Sequence, residues 1–149
     1  MRTLMSAIGV CVLLCAVAGA SDMGTAGIYT DVQYNGNPEN QSYITCWRKQ
    51  AHWASWEEYY DYQYTGDQSW PPDHNRLRWG ASSLSDPKIV IETGYYYTFK
   101  AKKYIGGQWR YSNWSTPVNY SSATVYASRV LELSLTSDPG DPTMEVGGD

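Results

Sequence analysis

Aromatic side chains are concentrated near residue 110, where Trp109, Tyr111 and Trp114 fall within six residues. Such rings bind sugars or protein partners by stacking, because they bury much apolar area for little loss of rotamer freedom. They can equally pack on the protein's own surface as a structural clasp, or line a catalytic pocket. Trp53 and Trp56 form a second aromatic pair, and seven Trp with fourteen Tyr exceed what one core can hold. We therefore expect some of these five rings to lie at the surface as binding residues.

Residues that could catalyse a reaction are few. His52 and His74 are the only two histidines, and neither stands in a metal-binding spacing. Glu57 or Glu58 could pair with another carboxylate as acid and base, but a small β-domain offers no deep cleft that would desolvate an acid. The sequence predicts no catalytic residue, no metal site and no cofactor, and thus a protein that is not an enzyme.

The start of the chain has the pattern of a secretory signal peptide. Arg2 precedes an apolar run, and the small residues at 18–20 offer a cleavage site. The apolar run is shorter than the roughly 20 residues that a membrane-spanning helix needs, so no membrane anchor is expected. We assign residues 1–20 to a signal peptide and expect a secreted, extracellular protein.

The charge and the glycosylation motifs fit that location. The chain carries 11 basic and 15 acidic residues, a net charge of −4, which argues against a nucleic-acid partner because such binders need a basic surface. Three Asn-x-Ser motifs, at Asn40, Asn113 and Asn119, are acceptors for N-glycosylation. The expected partner is an extracellular protein or a glycan.

Cysteine usage leaves one thiol outside the predicted signal peptide. Cys11 and Cys15 lie within residues 1–20, so only Cys46 remains and no internal disulfide can form. Cys46 is then a packed apolar residue, an exposed thiol, or half of a bridge that joins two chains as a dimer. We expect the packed thiol.

The pattern of the remaining chain is that of an all-β protein. Short runs of Tyr, Val, Ile, Thr and Trp alternate with Gly, Pro, Asn and Asp, which is typical of strands and turns. In one run, strict alternation predicts Tyr60, Tyr62 and Tyr64 on one side and Asp61 and Gln63 on the other. About seven strands in roughly 95 residues predict a two-sheet, immunoglobulin-like sandwich.

One stretch resembles a known family. The segment "IETGYYYTFKAKKYIGGQWRYSNWSTPV", residues 91–118, is similar to the closing half of a fibronectin type III domain: a glycine turn, a Tyr-x-Phe strand, a Gly-rich loop and a Ser-rich final strand ending near Pro. The resemblance covers about residues 27–121. It implies that Tyr97 is the corner tyrosine, whose hydroxyl ties a loop back to the backbone, and that Trp47 is the core tryptophan.

The resemblance and simple hydrophobicity disagree about one strand. The family pattern implies that Tyr43, Thr45 and Trp47 face inward and that Cys46 faces outward. Hydrophobicity alone favours Ile44 and Cys46 inside. The sequence leaves both alternatives open.

The segment Tyr111-Ser112-Asn113-Trp114-Ser115 differs by one residue from the Trp-Ser-x-Trp-Ser box of class I cytokine receptor domains, a fibronectin type III subgroup. In that subgroup the aromatic rings interleave with basic side chains of the neighbouring strand. Lys100 and Lys102 alternate on one face of the preceding strand, so the resemblance implies that they stack over Tyr111 and Trp114. Each such contact is worth about 0.5 to 1 kcal/mol at an exposed site.

Two further segments follow the resembling region. Residues 122–136 are an extra strand or a helix, since their periodicity suits both. Residues 137–149 carry four acids and no base, which predicts a disordered acidic tail.

Taken together, these patterns predict a secreted, non-catalytic protein that is a structural or adhesive component of an extracellular matrix or secreted layer. The alternative is a soluble binding module for a glycan or a secreted protein ligand. A discrete high-affinity ligand would favour this alternative, whereas recovery of the protein only in an insoluble extracellular fraction would favour the first function.

Overall fold

The computed structural model describes residues 26–65, 75–84 and 89–136, which form ten β-strands and no α-helix. The strands are β1 (Gly27–Tyr34), β2 (Asn37–Pro38), β3 (Tyr43–Lys49), β4 (Glu57–Tyr64), β5 (Arg76–Gly80), β6 (Ile89–Val90), β7 (Tyr95–Ile105), β8 (Gln108–Tyr111), β9 (Val118–Tyr120) and β10 (Ser128–Ser134). Over the same ranges, no helix has the length and apolarity needed to cross a membrane. The predicted signal peptide, the predicted acidic tail and His74 lie outside the described residues.

The strands build two sheets that pack as a sandwich, which confirms the all-β, two-sheet prediction. The first sheet has the order β10-β1-β5-β6, with the short β2 paired to β1. The second sheet has the order β4-β3-β7-β8, with β9 also paired to β7. The number of strands exceeds the predicted seven because the two-residue β2 and the later β10 are added to them and because β8 and β9 divide one edge of β7.

The core lies between the sheets and is lined by alternate residues of their strands. Ile44, Cys46 and Phe99 point inward from the second sheet, and all three are fully buried. They meet Leu77 and Trp79 of the first sheet, and the Trp79 and Phe99 ring centroids are 4.9 Å apart. Burial of each large apolar side chain contributes roughly 1.5 to 3 kcal/mol. The core tryptophan of this protein is therefore Trp79.

The structure corrects the facing of β3 that the family resemblance implied. Ile44 and Cys46 pair with Ala101 and Phe99 of β7, and these four residues form inward-facing rows. Trp47 lies on the outer face instead of in the core, and the same alternation turns Tyr43 and Thr45 outward. Hydrophobicity decides the facing, because burying Ile44 and Cys46 needs no hydrogen-bond partner for a side chain.

The predicted alternation along β4 is wrong because the strand contains bulges. Cys46 of β3 pairs with Tyr60, but Ile44 pairs with Gln63, so two residues of β4 lie opposite one residue of β3. Tyr62 takes a positive φ of 41° at this irregularity. Past the bulge the phase is reversed, so Tyr60 contacts the core while Tyr62 and Tyr64 face outward.

Residues 122–136 contain a strand, β10, and no helix. β10 runs parallel to β1 at the edge of the first sheet, from the pair Gly27 and Ser128 to the pair Gln33 and Ser134. Leu133 and the following Leu135 are 1% and 3% exposed and belong to the core. The end of the described chain is thus an integral part of the sandwich.

Tyr97 occupies the role that the resemblance implied for it. Its side chain is fully buried, and its hydroxyl donates a hydrogen bond to the carbonyl oxygen of Glu92 at 2.8 Å and accepts one from the Glu92 amide at 2.9 Å. Burial is the main reason that the pKa of Tyr97 is raised. One side chain thereby holds the turn before β7 against the core.

We predict that Tyr97→Phe lowers the free energy of unfolding by about 1 to 2 kcal/mol, because both backbone groups of Glu92 lose their partner. Chemical denaturation measures the loss. Tyr104→Phe is the matched control, since the Tyr104 hydroxyl bonds the Gly107 carbonyl at an exposed turn. Equal midpoints for wild type and Tyr97→Phe would contradict the assigned role.

Candidate functional site: an aromatic face on the second sheet

The strand that closes the second sheet is interrupted between β8 and β9. In the interruption, Ser112 Oγ accepts a hydrogen bond from the Ala101 amide at 2.8 Å, and Ser115 Oγ accepts one from the Phe99 amide at 3.1 Å. The amides of the same two serines donate to the carbonyls of Ala101 and Phe99, at 2.9 and 2.8 Å. Side-chain hydroxyls thus replace the backbone carbonyls that a regular strand would supply.

These bonds place two rings over one cation. Lys100 Nζ lies 5.8 Å from the ring centroid of Tyr111 and 4.9 Å from that of Trp114. Trp114 also makes an edge contact with Trp47, at a centroid distance of 5.7 Å. All four side chains are partly buried. We call Trp47, Lys100, Tyr111 and Trp114 the clasp, because each ring or charge contacts another member of the group.

Lys102 has different neighbours from those that the resemblance implied. Its Nζ atom lies 3.0 Å from the ring centroid of Tyr62 and 5.0 Å from that of Trp109. Lys100 alone is placed over Tyr111 and Trp114 by these contacts. The two lysines therefore belong to two adjoining aromatic groups on the same face.

The second group is more exposed than the clasp. Tyr43, Tyr62, Tyr104 and Trp109 keep 36%, 46%, 58% and 45% of their surface exposed. The ring centroid of Trp109 lies 5.6 Å from that of Tyr104 and 6.4 Å from that of Tyr43. The Tyr43 and Tyr64 centroids are 5.0 Å apart. We call these five rings, together with Lys102, the platform. Contiguous exposed apolar surface of this kind marks interaction sites.

Local sequence explains how the platform forms. Gly106 and Gly107 both have positive φ, which glycine adopts without strain, and they close the β7–β8 hairpin. The hairpin sets Tyr104 directly opposite Trp109. On β4, the bulge described above brings Tyr62 and Tyr64 to the same face.

Most platform residues were not singled out by the sequence. Trp109 was a candidate, but the facing of Tyr43 was left open, and Tyr62 was grouped with Tyr60, which contacts the core. Tyr104 could have been found, because it follows Lys100 and Lys102 at the two-residue period of a strand. The bulge that exposes Tyr62 leaves no mark in the hydrophobic pattern.

The second predicted aromatic pair does not act as a pair. Trp56 is 8% exposed, and Lys49 Nζ lies 4.6 Å from its ring centroid, so it is packed. Trp53 is 81% exposed in the turn between β3 and β4. Tyr43 begins β3, whereas this turn follows the other end of the strand, about 20 Å away. Trp53 is therefore separate from the platform.

Ionisable groups in the described residues are mostly engaged in structural contacts. His52 Nε2 is 2.8 Å from the Tyr96 hydroxyl. Arg48 bridges Glu57 at 2.7 Å and Glu92 at 3.0 Å. Among these residues no group of three or more His, Cys, Asp or Glu side chains could hold a metal ion.

An open groove lies between β10 and the segment before β9. Its volume is about 640 Å³, and its lining includes Pro117, Val118, Val130 and Leu131. Arg129 is the one ionisable side chain among the lining residues. The groove therefore presents no acid and base pair for proton transfer.

The three glycosylation acceptors are all exposed. Asn40 lies in the turn before β3, Asn113 in the break between β8 and β9, and Asn119 within β9. Ser42, Ser115 and Ser121, the third residues of the motifs, are buried or partly buried. Glycans on the three asparagines would project from the surface.

Cys46 is fully buried in the core. Burial is the main cause that raises its pKa well above the ordinary value, and the charge of Arg48 opposes this only in part. The reactive thiolate is therefore scarce at neutral pH. A disulfide between two folded copies would require the core to open.

We predict that Trp114→Ala lowers the free energy of unfolding by about 2 to 4 kcal/mol, because the clasp loses a half-buried ring. Trp109→Ala is the matched variant on the same segment and should cost less than about 1 kcal/mol, since its ring packs less area and keeps 45% of its surface exposed. Thermal and urea denaturation measure both. Similar losses in the two variants would contradict the division into clasp and platform.

We predict that folded protein without residues 1–20, whose one thiol is Cys46, reacts with a thiol reagent at least about a hundredfold more slowly than the same protein unfolded in urea, because Cys46 is buried and its pKa is raised. Absorbance of the released reporter group measures the rate. The folded protein should also run as a monomer without reductant. A disulfide-linked dimer on a non-reducing gel would contradict the buried position.

No protein-family model matches the chain, and no curated protein or solved structure matches it significantly. Its function is therefore argued from the geometry of the platform and the clasp.

Proposed function

We propose that this chain is a secreted, non-catalytic adhesive module that attaches to extracellular material through the platform. The single observation that carries the proposal is a set of four neighbouring rings that keep 36% to 58% of their surface exposed. Trp109 contacts Tyr43 and Tyr104, and Lys102 contacts both Trp109 and Tyr62. Large aromatic side chains left in contact with water are favoured anchors for a partner. The other described rings of the sandwich are mostly buried or partly buried, which leaves the platform as the main exposed aromatic surface.

Secretion is supported by the sequence pattern of residues 1–20 and by the exposure of all three glycosylation acceptors. A secreted adhesive module needs a stable scaffold and no catalytic groups. The clasp and the Tyr97 corner supply that stability in our account, because both involve side chains that are at least partly buried.

We further assign residues 27–121 to a fibronectin type III-like domain. Support comes from the Tyr97 corner, from β8 and β9 pairing with opposite halves of β7, and from the two serines in the break. β10 follows residue 121 and is an addition to that pattern. A shared scaffold alone does not define a function, so the adhesive role rests on the platform.

The test uses the glycosylated protein from a eukaryotic secretory host, incubated with insoluble extracellular matrix. We expect wild type to sediment with the matrix. For the double variant Tyr104→Ala and Trp109→Ala, the fraction of protein left in solution should be at least about tenfold higher. Trp53→Ala is the matched control, because it removes an exposed ring outside the platform, and it should sediment like wild type.

Two results would contradict the proposal. One is sedimentation of the double variant to the same extent as wild type, which would remove the platform from attachment. The other is recovery of wild type only in solution, bound to a single partner protein, which would favour a soluble binding module.

A further inference from the structure

We propose that the platform binds an anionic polysaccharide, with Lys102 pairing with its carboxylate or sulfate groups while Tyr43 and Trp109 stack against its sugar rings. This inference rests on the proposed adhesive function and names the class of material that is bound.

Lys102 differs from the cations that are neutralised within the fold. Ion pairs with carboxylates are made by Arg48, Arg76 and Lys103. Lys102 Nζ contacts the rings of Tyr62 and Trp109, and over the described ranges no carboxylate lies within ion-pair distance of it. A ring attracts a cation through its quadrupole but does not neutralise the charge. The charge of Lys102 is thus held in place and remains able to pair with an anion of a ligand.

The rings around Lys102 remain available to a ligand. Tyr62 and Trp109 contact the ammonium group while keeping about half of their surface exposed. An anion bound at Lys102 would therefore lie beside exposed aromatic surface. The C–H groups on the face of a pyranose ring pack on such a surface, whereas its substituents extend to the side. An acidic sugar combines both features in one unit.

The angles between the rings favour a flexible chain over a flat solid. The interplanar angle is 60° between Tyr43 and Trp109 and 69° between Tyr104 and Trp109. Tyr43 and Tyr64 are inclined by 41°. A surface ridged in this way cannot lie flush against a planar crystalline face. A hydrated polysaccharide can follow the ridges by rotating about its glycosidic bonds.

The charges near the platform favour an anion. Glu39 is paired with Lys103, and Glu58 lies opposite Trp47, about 13 Å along β3 from Tyr43.

One described acid beside the platform and the net charge of the chain oppose an anion, and both effects are weaker. Asp61 is exposed beside Tyr62 but makes no ion pair with Lys102. The net charge of −4 repels an anion, but salt at 0.1 M screens the field of exposed charges beyond about 10 Å. The local charge of the platform therefore decides the interaction at physiological salt.

The test is affinity electrophoresis of the folded protein at physiological salt in gels that contain alginate, dextran sulfate or neutral dextran. We expect alginate, a uronate polymer, or dextran sulfate to retard the protein, and dextran to leave its mobility unchanged. The two acidic polymers distinguish carboxylate from sulfate as the bound group. The apparent dissociation constant should rise at least about tenfold in Lys102→Gln and in Trp109→Ala.

Two matched controls separate this site from general effects. Arg129→Gln removes one positive charge from an exposed position on β10, and Trp53→Ala removes an exposed ring. The apparent dissociation constants of both variants should lie within about twofold of the wild-type value. A loss in Arg129→Gln as large as that in Lys102→Gln would overturn the inference, as would equal retardation by dextran or none by either acidic polymer.

These outcomes are distinct from failure of the adhesive function. If the double variant Tyr104→Ala and Trp109→Ala still sediments with matrix, the proposed function fails and this inference fails with it. If that variant loses sedimentation while no acidic polymer retards wild type, the adhesive function stands and the anionic ligand is wrong.

Discussion

The hydrogen bonds from the Phe99 and Ala101 amides to the hydroxyls of Ser115 and Ser112 are the constraint on which the outer face depends. The chain must leave the strand between β8 and β9, yet the amides of β7 are buried there and require acceptors. Serine is the smallest side chain that supplies a hydroxyl acceptor at this distance from the backbone. The two bonds allow residues 112–117 to depart from regular pairing without leaving a buried donor unsatisfied.

That departure determines how the aromatic residues are used. Trp114, which follows the first serine bond, turns onto Lys100 and Trp47 and becomes part of the scaffold. Trp109, which precedes it in the regular hairpin, remains opposite Tyr104 with about half of its surface exposed. Two tryptophans five positions apart therefore have different roles, one stabilising the sheet and one offering a surface to a partner. The proposed adhesion uses the rings that the scaffold leaves exposed.

Local patterns were sufficient for several features of the fold. The all-β class follows from strand-sized runs and turn residues, and the contacts of Lys100 with Tyr111 and Trp114 were implied by the resemblance of residues 111–115. Tyr97 and its turn could be assigned because corner, turn and strand lie within a few residues of one another. Each of these inferences needs only neighbours along the chain or across one hairpin.

The features that sequence reasoning missed depend on the distant parts of the chain. The inward residues of β3 were ambiguous because its outer face is almost as aromatic as its inner face, so alternation does not identify the core side. The bulge that separates Tyr60 from Tyr62 depends on pairing with β3. The parallel position of β10 beside β1 depends on burial of Leu133, which periodicity along 122–136 does not reveal. The platform was missed for the same reasons, since it assembles rings from four strands.

The most direct test of the central claim is amide hydrogen exchange of Phe99 and Ala101 in the double variant Ser112→Ala and Ser115→Ala. The account predicts that the free energy protecting these two amides falls by about 1 to 3 kcal/mol, because each loses its buried acceptor. Ser134→Ala, at an exposed position of β10, should leave both amides as protected as in wild type. Wild-type protection of Phe99 and Ala101 in the double variant would contradict the claim that the serine hydroxyls hold the interrupted strand in place.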